Sequence, residues 1–308
     1  GQGGIFVSEV DESDGSIALY HPSVAVLNNV SLDHKSLEEL RALFGDFLAR
    51  ADVGVVNLAD AEAAALAPHA RSLISFGIAS SQAMIGVEED SIVDGPTSIR
   101  ARIIDRRDGS VHDLALKVPG RHNLANALAA IAGAEAAGVP VADAVAALAG
   151  FEGLARRFDI VGTSPGGITV IDDFGHNPDK VSATLRTLKS HPGRVIAFFQ
   201  PHGYGPLRQM GAELAEVMAH LLGPDDEVIL CDPVYFGGTV DRSVGAERIV
   251  ELIGAAREGG PQAHHIPTRE ACSEAMIAMA RPGDRIVVMG ARDDTLSLFA
   301  AELLARLA

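Results

Sequence analysis

An alternation constrains this chain more than any other feature. Short runs of branched and aromatic residues are each followed by a stretch of helical character, almost from end to end. Val24-Ala25-Val26-Leu27, Val53-Gly54-Val55-Val56 and Leu73-Ile74-Ser75-Phe76 read as buried strands. Between the first two, Ser36-Leu37-Glu38-Glu39 has the capping-box spacing, and Leu37, Leu40, Leu43, Phe44, Phe47 and Leu48 form a helical apolar stripe. After Arg157 the alternation resumes, with strands expected near residues 169–172, 195–199, 227–231, 263–266 and 285–289. Strands that alternate with helices predict parallel sheets covered by helices. One stretch departs from the rule. Between Met84 and Val118, Ile99, Ala101 and Ile103 alternate with polar residues, and Asp94-Gly95 and Asp108-Gly109 supply turns, which predicts an antiparallel meander. Long and short Ala-rich helices follow, closed by Gly138 and Gly150. Ile5 to Val10 reads as one more strand, running into the acidic turn Asp11-Glu12-Ser13-Asp14-Gly15. The expected fold class is α/β. A parallel sheet extended by the meander occupies residues 1–153, and a doubly wound, Rossmann-like domain occupies 154–308.

Composition removes several classes of function. A chain of 308 residues suits about two domains. Its net charge of −16 argues against a nucleic-acid binder, because phosphate contact needs a basic face. There is no apolar run of the roughly 18 residues that a membrane span requires, and no signal-peptide pattern. The two cysteines, Cys231 and Cys272, suit a reducing compartment. A cytoplasmic monomer or weak dimer is expected, with no membrane partner. The chain opens at Gly1 with no initiator Met and enters a strand-like run at once, as if cut from something longer.

Polar groups concentrate where elements begin and end. Glu9, Asp11, Glu12 and Asp14 crowd the end of the first expected strand, where α/β sheets place ligands, although a solvated acidic turn accounts for them equally well. Asp33-His34 follows the second strand; a carboxylate and an imidazole there could share a divalent cation, or the histidine could be structural. His122, Asn123 and Asn126 open a helix, as ligand contacts or as caps for orphan N–H groups. Arg156-Arg157 is a solvated linker pair or a bidentate phosphate contact. Asp172-Asp173 ends the first strand of the second domain. His176 is either a proton acceptor or part of a helix start at Asn177-Pro178.

Three signals in this order, Gly120-Arg121-His122-Asn123-Leu124-Ala125-Asn126, Phe151-Glu152-Gly153-Leu154-Ala155-Arg156-Arg157-Phe158 and Asp172-Asp173-Phe174-Gly175-His176-Asn177-Pro178, resemble the Mur ligase family. Residues 6–15 and 28–34 resemble segments of the central ATPase domain in its alanine-adding branch. The lack of lysine in the helix after His34, where related enzymes carry a carbamylated one, points to the same branch. The resemblance implies that ATP phosphorylates the carboxylate of a UDP-N-acetylmuramate-type acceptor, and that the amine of an amino acid then displaces phosphate. It implies Mg²⁺ on Glu9 and His34. ATP would meet His122, Asn123, Asn126, Arg156, Arg157, Asp172 and Asp173. Arg157 would lie near the phosphates, and Asp173 would hold the ribose or fix domain closure. His176 would take the amine proton, with Arg157 and Asp173 also catalytic. Glu12, Ser13, Asp14, Phe174, His202, Arg208 and Arg292 would contact the other substrates.

Two departures from the family pattern stand out. No G-x-x-G-K-[ST] phosphate loop occurs in the sequence, so these residues alone are expected to be inactive. Gln200-Pro201-His202 is followed by Gly203 and Pro206 where the alanine-adding enzymes carry arginines, and Phe174 replaces a tyrosine. Arg208 or Arg292 would then hold the donor carboxylate. A ligase for another amine donor, such as a recycled peptide, and a non-catalytic nucleotide-sugar-binding module are the alternatives.

Overall fold

The computed structural model describes residues 4–13, 15–30, 35–233, 241, 244–291 and 293–307. They fall into two compact units, Gly1–Glu152 and Gly153–Ala308.

The first unit is built on a six-stranded sheet in chain order: β1 (Val24–Leu27), β2 (Val53–Asn57), β3 (Leu73–Gly77), β4 (Ile85–Asp94), β5 (Ile99–Asp105) and β6 (Ser110–Leu116). The first four strands are parallel, and β4, β5 and β6 pair antiparallel as the meander. Period-2 alternation sets the faces: in β5, Ile99, Ala101, Ile103 and Asp105 are buried and their neighbours are not. One face carries α3 (Arg121–Ala136) and α4 (Val141–Leu148), packed on Val55, Phe76, Ile85 and Ile103. The other carries α1 (Leu37–Arg50) and α2 (Ala61–Leu66), packed on Ala25, Leu27 and Val56. At the start of α1 the capping box is complete: Glu39 N–H donates to Ser36 Oγ, and Ser36 N–H donates to the Glu39 carboxylate.

The stretch expected to form the first strand does not form one. Residues 5–10 are coil, with Phe6 and Val7 91% and 87% exposed. A strand propensity is realised only when a neighbouring strand takes up the backbone N–H and C=O groups. Here β1 is the sheet edge, and residues 5–10 do not pair with it.

The second unit has a sheet of order β11-β10-β9-β12-β8-β7. Its strands are β7 (Asp159–Thr163), β8 (Thr169–Asp173), β9 (Val195–Gln200), β10 (Glu227–Leu230), β11 (Gln262–His265) and β12 (Arg285–Gly290). All pair parallel except β7, which runs antiparallel to β8. Helices cover both faces. α5 (Pro178–Lys189), α6 (Tyr204–Leu221) and α7 (Ala246–Ala256) pack on Ile171, Ala197, Phe199 and Val287. α8 (Arg269–Met279) and α9 (Thr295–Arg306) pack on Val170, Ile196, Phe198 and Val288. Adjacent residues of one strand thus serve opposite cores, which is why these strands read as continuous apolar runs.

Strand β7 was not expected from sequence. It is short, half-exposed and interrupted by a bulge between Ile160 and Gly162, all of which weaken an alternating signal. At Gly162, where φ is +157°, a Cβ would sit 2.7 Å from Leu304 Cδ2 and would have to displace that methyl. Among the described residues no helix is long and apolar enough to cross a membrane.

Candidate functional site

Each unit presents one cluster of the residues singled out above. In the first it surrounds the start of α3. Gly120 precedes the helix at φ +94°, a left-handed backbone that favours glycine, and a Cβ there would stand 2.7 Å from His122 Cε1. The imidazole therefore lies against the glycine. Partial desolvation holds it below the usual histidine range, with the Asp94 carboxylate pulling the other way, so at neutral pH the ring is uncharged. No side chain caps α3, so the capping alternative for this trio fails. Asn123 Nδ2 instead donates to Pro119 O at 2.7 Å, and Asn126 Oδ1 accepts from Asn28 Nδ2, at the end of β1, at 3.2 Å. The buried Asn28 Oδ1 has no partner.

Glu9 is exposed in the coil before the acidic turn, while Ser13 N–H donates to Asp11 Oδ1 at 2.7 Å. Glu12 O accepts from Gly15 N–H at 3.2 Å to close that turn. His34 and Asp14 lie outside the described residues, as does Arg292. The expected Glu9–His34 cation pair therefore lies partly outside the described residues. Among the described residues, three other side chains come close enough to share an ion: Asp232, Glu247 and His265. The two carboxylates already hold the ring, Asp232 at 2.7 Å from Nε2 and Glu247 at 3.4 Å from Nδ1.

In the second unit the cluster sits at the C-terminal ends of β8, β9 and β12, where doubly wound sheets bind ligands. The two adjacent aspartates differ. Asp173 accepts from Phe158 N–H and Gly175 N–H at 2.8 Å each, and from Thr184 Oγ1 at 2.8 Å. Its carboxylate thus ties the Leu154–Phe158 turn to β8 and α5, with one lone pair of Oδ2 left over for a further contact. Asp172 accepts from Ser297 Oγ at 2.6 Å and faces Arg156 Nε at 3.6 Å. Burial pushes its carboxyl above the usual range, while Ser297 and Arg156 oppose that shift.

Asn177 caps α5 by accepting from Lys180 N–H at 2.9 Å, which leaves His176 free of that duty. His176 Nδ1 lies 2.9 Å from Phe174 O. A carbonyl can only accept, so Nδ1 carries the proton and Nε2 is the basic nitrogen. The ring packs edge-on against Phe174 and His202, both at 5.2 Å between centroids. His176, Pro201, His202, Pro206 and Met210 line one shallow depression. Arg208, in α6, donates to Asp241 at 2.8 Å with both side chains about half exposed, a surface pair that exchanges readily.

Sequence reasoning missed a network beside this cluster. Arg269, the first residue of α8, pairs with Asp293, donates to Gln200 Oε1 and donates to Thr295 Oγ1 at 2.7 Å. Gln200 Nε2 also donates to Asp293 at 3.1 Å. This network braces the turn after β12 against the end of β9. Thr268, which accepts from Ala271 N–H as the cap of α8, marks the helix start, but nothing local reveals what the Arg269 guanidinium reaches.

Comparison with known proteins adds the following. The Mur ligase middle-domain family matches residues 3–134, and the family described as Mur ligase, glutamate ligase domain matches residues 156–292. A UDP-N-acetylmuramate–L-alanine ligase of Pelotomaculum thermopropionicum is 33% identical over 303 residues, covering 95% of this chain and 63% of its own length. The enzyme of that name from Mycobacterium marinum is 36% identical over 320 residues, covering 96% and 62%. The chain therefore spans a little over three-fifths of the length of these relatives. Among solved structures, a UDP-N-acetylmuramate–alanine ligase from Thermotoga maritima shares the fold, with a TM-score of 0.66, 23% identity, and coverage of 94% of this chain and 61% of that one.

Proposed function

The chain belongs to the Mur ligase family, and on that premise we propose that the protein is an ATP-dependent carboxylate–amine ligase of peptidoglycan precursor synthesis. In this reading it joins an amino acid, L-alanine or a similar donor, to a UDP-N-acetylmuramate-type acceptor in the cytoplasm. The observation that carries it is the continuous 33% identity over 303 residues to a UDP-N-acetylmuramate–L-alanine ligase, running through both units.

The residues divide into roles. His122, uncharged and with a ring nitrogen free to accept, and the amides of Asn123 and Asn126 suit the adenine end of ATP. Arg157 suits the phosphates: its side chain is exposed, and among the described residues it has no ion-pair or hydrogen-bond partner. The acceptor carboxylate attacks the γ-phosphorus and ADP leaves. The amine then attacks the acyl carbon, and phosphate departs with the former carboxylate oxygen. A guanidinium at that point spreads the negative charge that builds on the phosphoryl oxygens. His176, protonated on Nδ1, offers Nε2 to the proton that the amine must lose. Asp173 works on the backbone, holding the turn that carries Arg157. Mg²⁺ supplies charge neutralisation on ATP when bound. Of the expected pair, the described residues include Glu9 alone.

The residues expected to hold the donor depart from the alanine-adding pattern at Gly203 and Pro206. Gly203 opens α6 at φ +144° with Pro206 in its first turn, so neither supplies a cation, and a donor whose carboxylate is held elsewhere fits equally. The test is phosphate release by the intact protein from the cells that make it, with ATP, Mg²⁺, UDP-N-acetylmuramate and a panel of amino acids and short peptides. Release that requires both acceptor and one amine supports the ligase and names the donor. Tight nucleotide-sugar binding with no release supports a binding module instead.

A further inference from the structure

Arg156 and Arg157 are neighbours in sequence with opposite environments. The Arg157 side chain is exposed, while only 11% of the Arg156 side chain is. A guanidinium has five N–H donors, and burial normally demands that most be used. Arg156 makes one side-chain hydrogen bond, from Nη2 to Gly290 O at 2.7 Å. Its Nε and Nη1 are buried without a partner, and so is Asp172 Oδ1, which faces Nε across 3.6 Å. Asp294 lies 3.8 Å from Nη1, and the guanidinium stands 5.0 Å from the centre of the Phe174 ring. Charge and stacking hold this side chain more than hydrogen bonds do.

The backbone around it is equally unusual. Arg156 and Phe158 both adopt positive φ, +60° and +50°, a region that residues with a Cβ avoid. Backbone groups fix both bends. Arg156 N–H reaches Asp159 Oδ2 at 3.3 Å, Arg156 O accepts from Phe174 N–H at 2.7 Å, and Phe158 N–H reaches Asp173 at 2.8 Å. Arg157 N–H closes the turn on Leu154 O at 3.0 Å. Two left-handed residues flanking Arg157 turn its side chain away from the interior that takes Arg156.

We propose that Arg156, facing Asp172, is a positioning residue: it anchors the Leu154–Phe158 turn so that Arg157 presents its guanidinium to the phosphate oxygens of ATP. The inference rests on the ligase reading for its ligand and on the turn geometry for its mechanism. Arg156 itself is not a phosphate contact, because its buried fork already faces Gly290 O, Asp172 and Phe174.

The test compares Arg156→Ala, Arg156→Lys, Arg157→Ala and the double variant in the intact protein. If Arg156 acts through Arg157, each alanine variant lowers kcat/KM for ATP about tenfold, and the two variants divide the loss between kcat and KM in the same way. The double variant is then no worse than Arg157→Ala alone, because contacting residues that serve one interaction are not additive. Arg156→Lys, which keeps the charge but not the planar fork, recovers only part of the loss. Multiplying effects in the double variant, or an unchanged kcat/KM for ATP in Arg156→Ala, overturn the proposal. A second readout needs no activity: trypsin cleavage after Arg157, followed by mass spectrometry against cleavage elsewhere in the chain. Loosening the turn by Arg156→Ala accelerates that cut about tenfold relative to the others. Should the wild type release no phosphate from ATP, the ligase reading falls, and a cleavage rate unchanged by Arg156→Ala then overturns the anchoring as well.

Discussion

Asp105, at the end of β5, links a single side chain to the pH dependence of folding. It is 5% exposed, and the Arg107 guanidinium grips it at 2.9 and 2.6 Å while also reaching Glu135. That hydrogen bonding holds its carboxyl below the usual range against the opposing effect of burial. A carboxylate with a depressed folded pKa stabilises the fold above the unfolded value, and the contribution is lost as pH falls through the folded value. Asp105→Asn is therefore expected to cost about 1–3 kcal/mol near neutral pH. The gap from wild type should close below pH ~4. Thermal unfolding of both proteins across pH 3–8 checks it; a gap independent of pH contradicts it. The sequence marked Asp105 for none of this. It also could not divide its adjacent twins. Arg156-Arg157 and Asp172-Asp173 read as pairs, yet one arginine is buried and the other exposed. One aspartate accepts three hydrogen bonds from backbone and hydroxyl donors, and the other faces a guanidinium without bonding it. Twins separate only through backbone dihedrals and distant partners such as Ser297 and Gly290, which local pattern does not encode.

Elements were more legible where the signal is local. The start of α1 follows from Ser36 and Glu39, because a cap involves four consecutive residues and their own backbone. Ser36→Ala is expected to destabilise the chain by about 1 kcal/mol. Ser36→Asn should recover most of it in a denaturant titration, and equal loss in both variants would contradict a capping role. The meander was equally legible, since Asp94-Gly95 and Asp108-Gly109 sit between β4, β5 and β6 as turn chemistry predicts. Strands whose existence depends on a neighbour were not. Residues 5–10 have the composition of a strand and no pairing, whereas β7 has a poor composition and pairs with β8. Pairing, and not propensity, decided both.

For the molecule as a whole, the alternation of strands and helices was enough to anticipate two α/β sheets, though not β7, the sixth strand of the second, because covering a parallel sheet on both faces leaves few other arrangements. The motifs anticipated the Mur ligase family by resemblance, and they fall at the start of α3 and at the ends of β8, β9 and β12. What remained hidden was the chemistry between motifs: the Arg269–Asp293–Gln200 brace and the Arg156 anchor join residues far apart in sequence. The central claim is that an acceptor carboxylate is activated by ATP and then captured by an amine. One measurement reads that directly. Acceptor labelled with ¹⁸O in its carboxylate is incubated with the intact protein, ATP, Mg²⁺ and the amine, and the released phosphate is analysed by mass. Passage through an acyl phosphate predicts that one labelled oxygen appears in each phosphate released. Phosphate released without label would mean that ATP is merely hydrolysed by water, and would contradict the account.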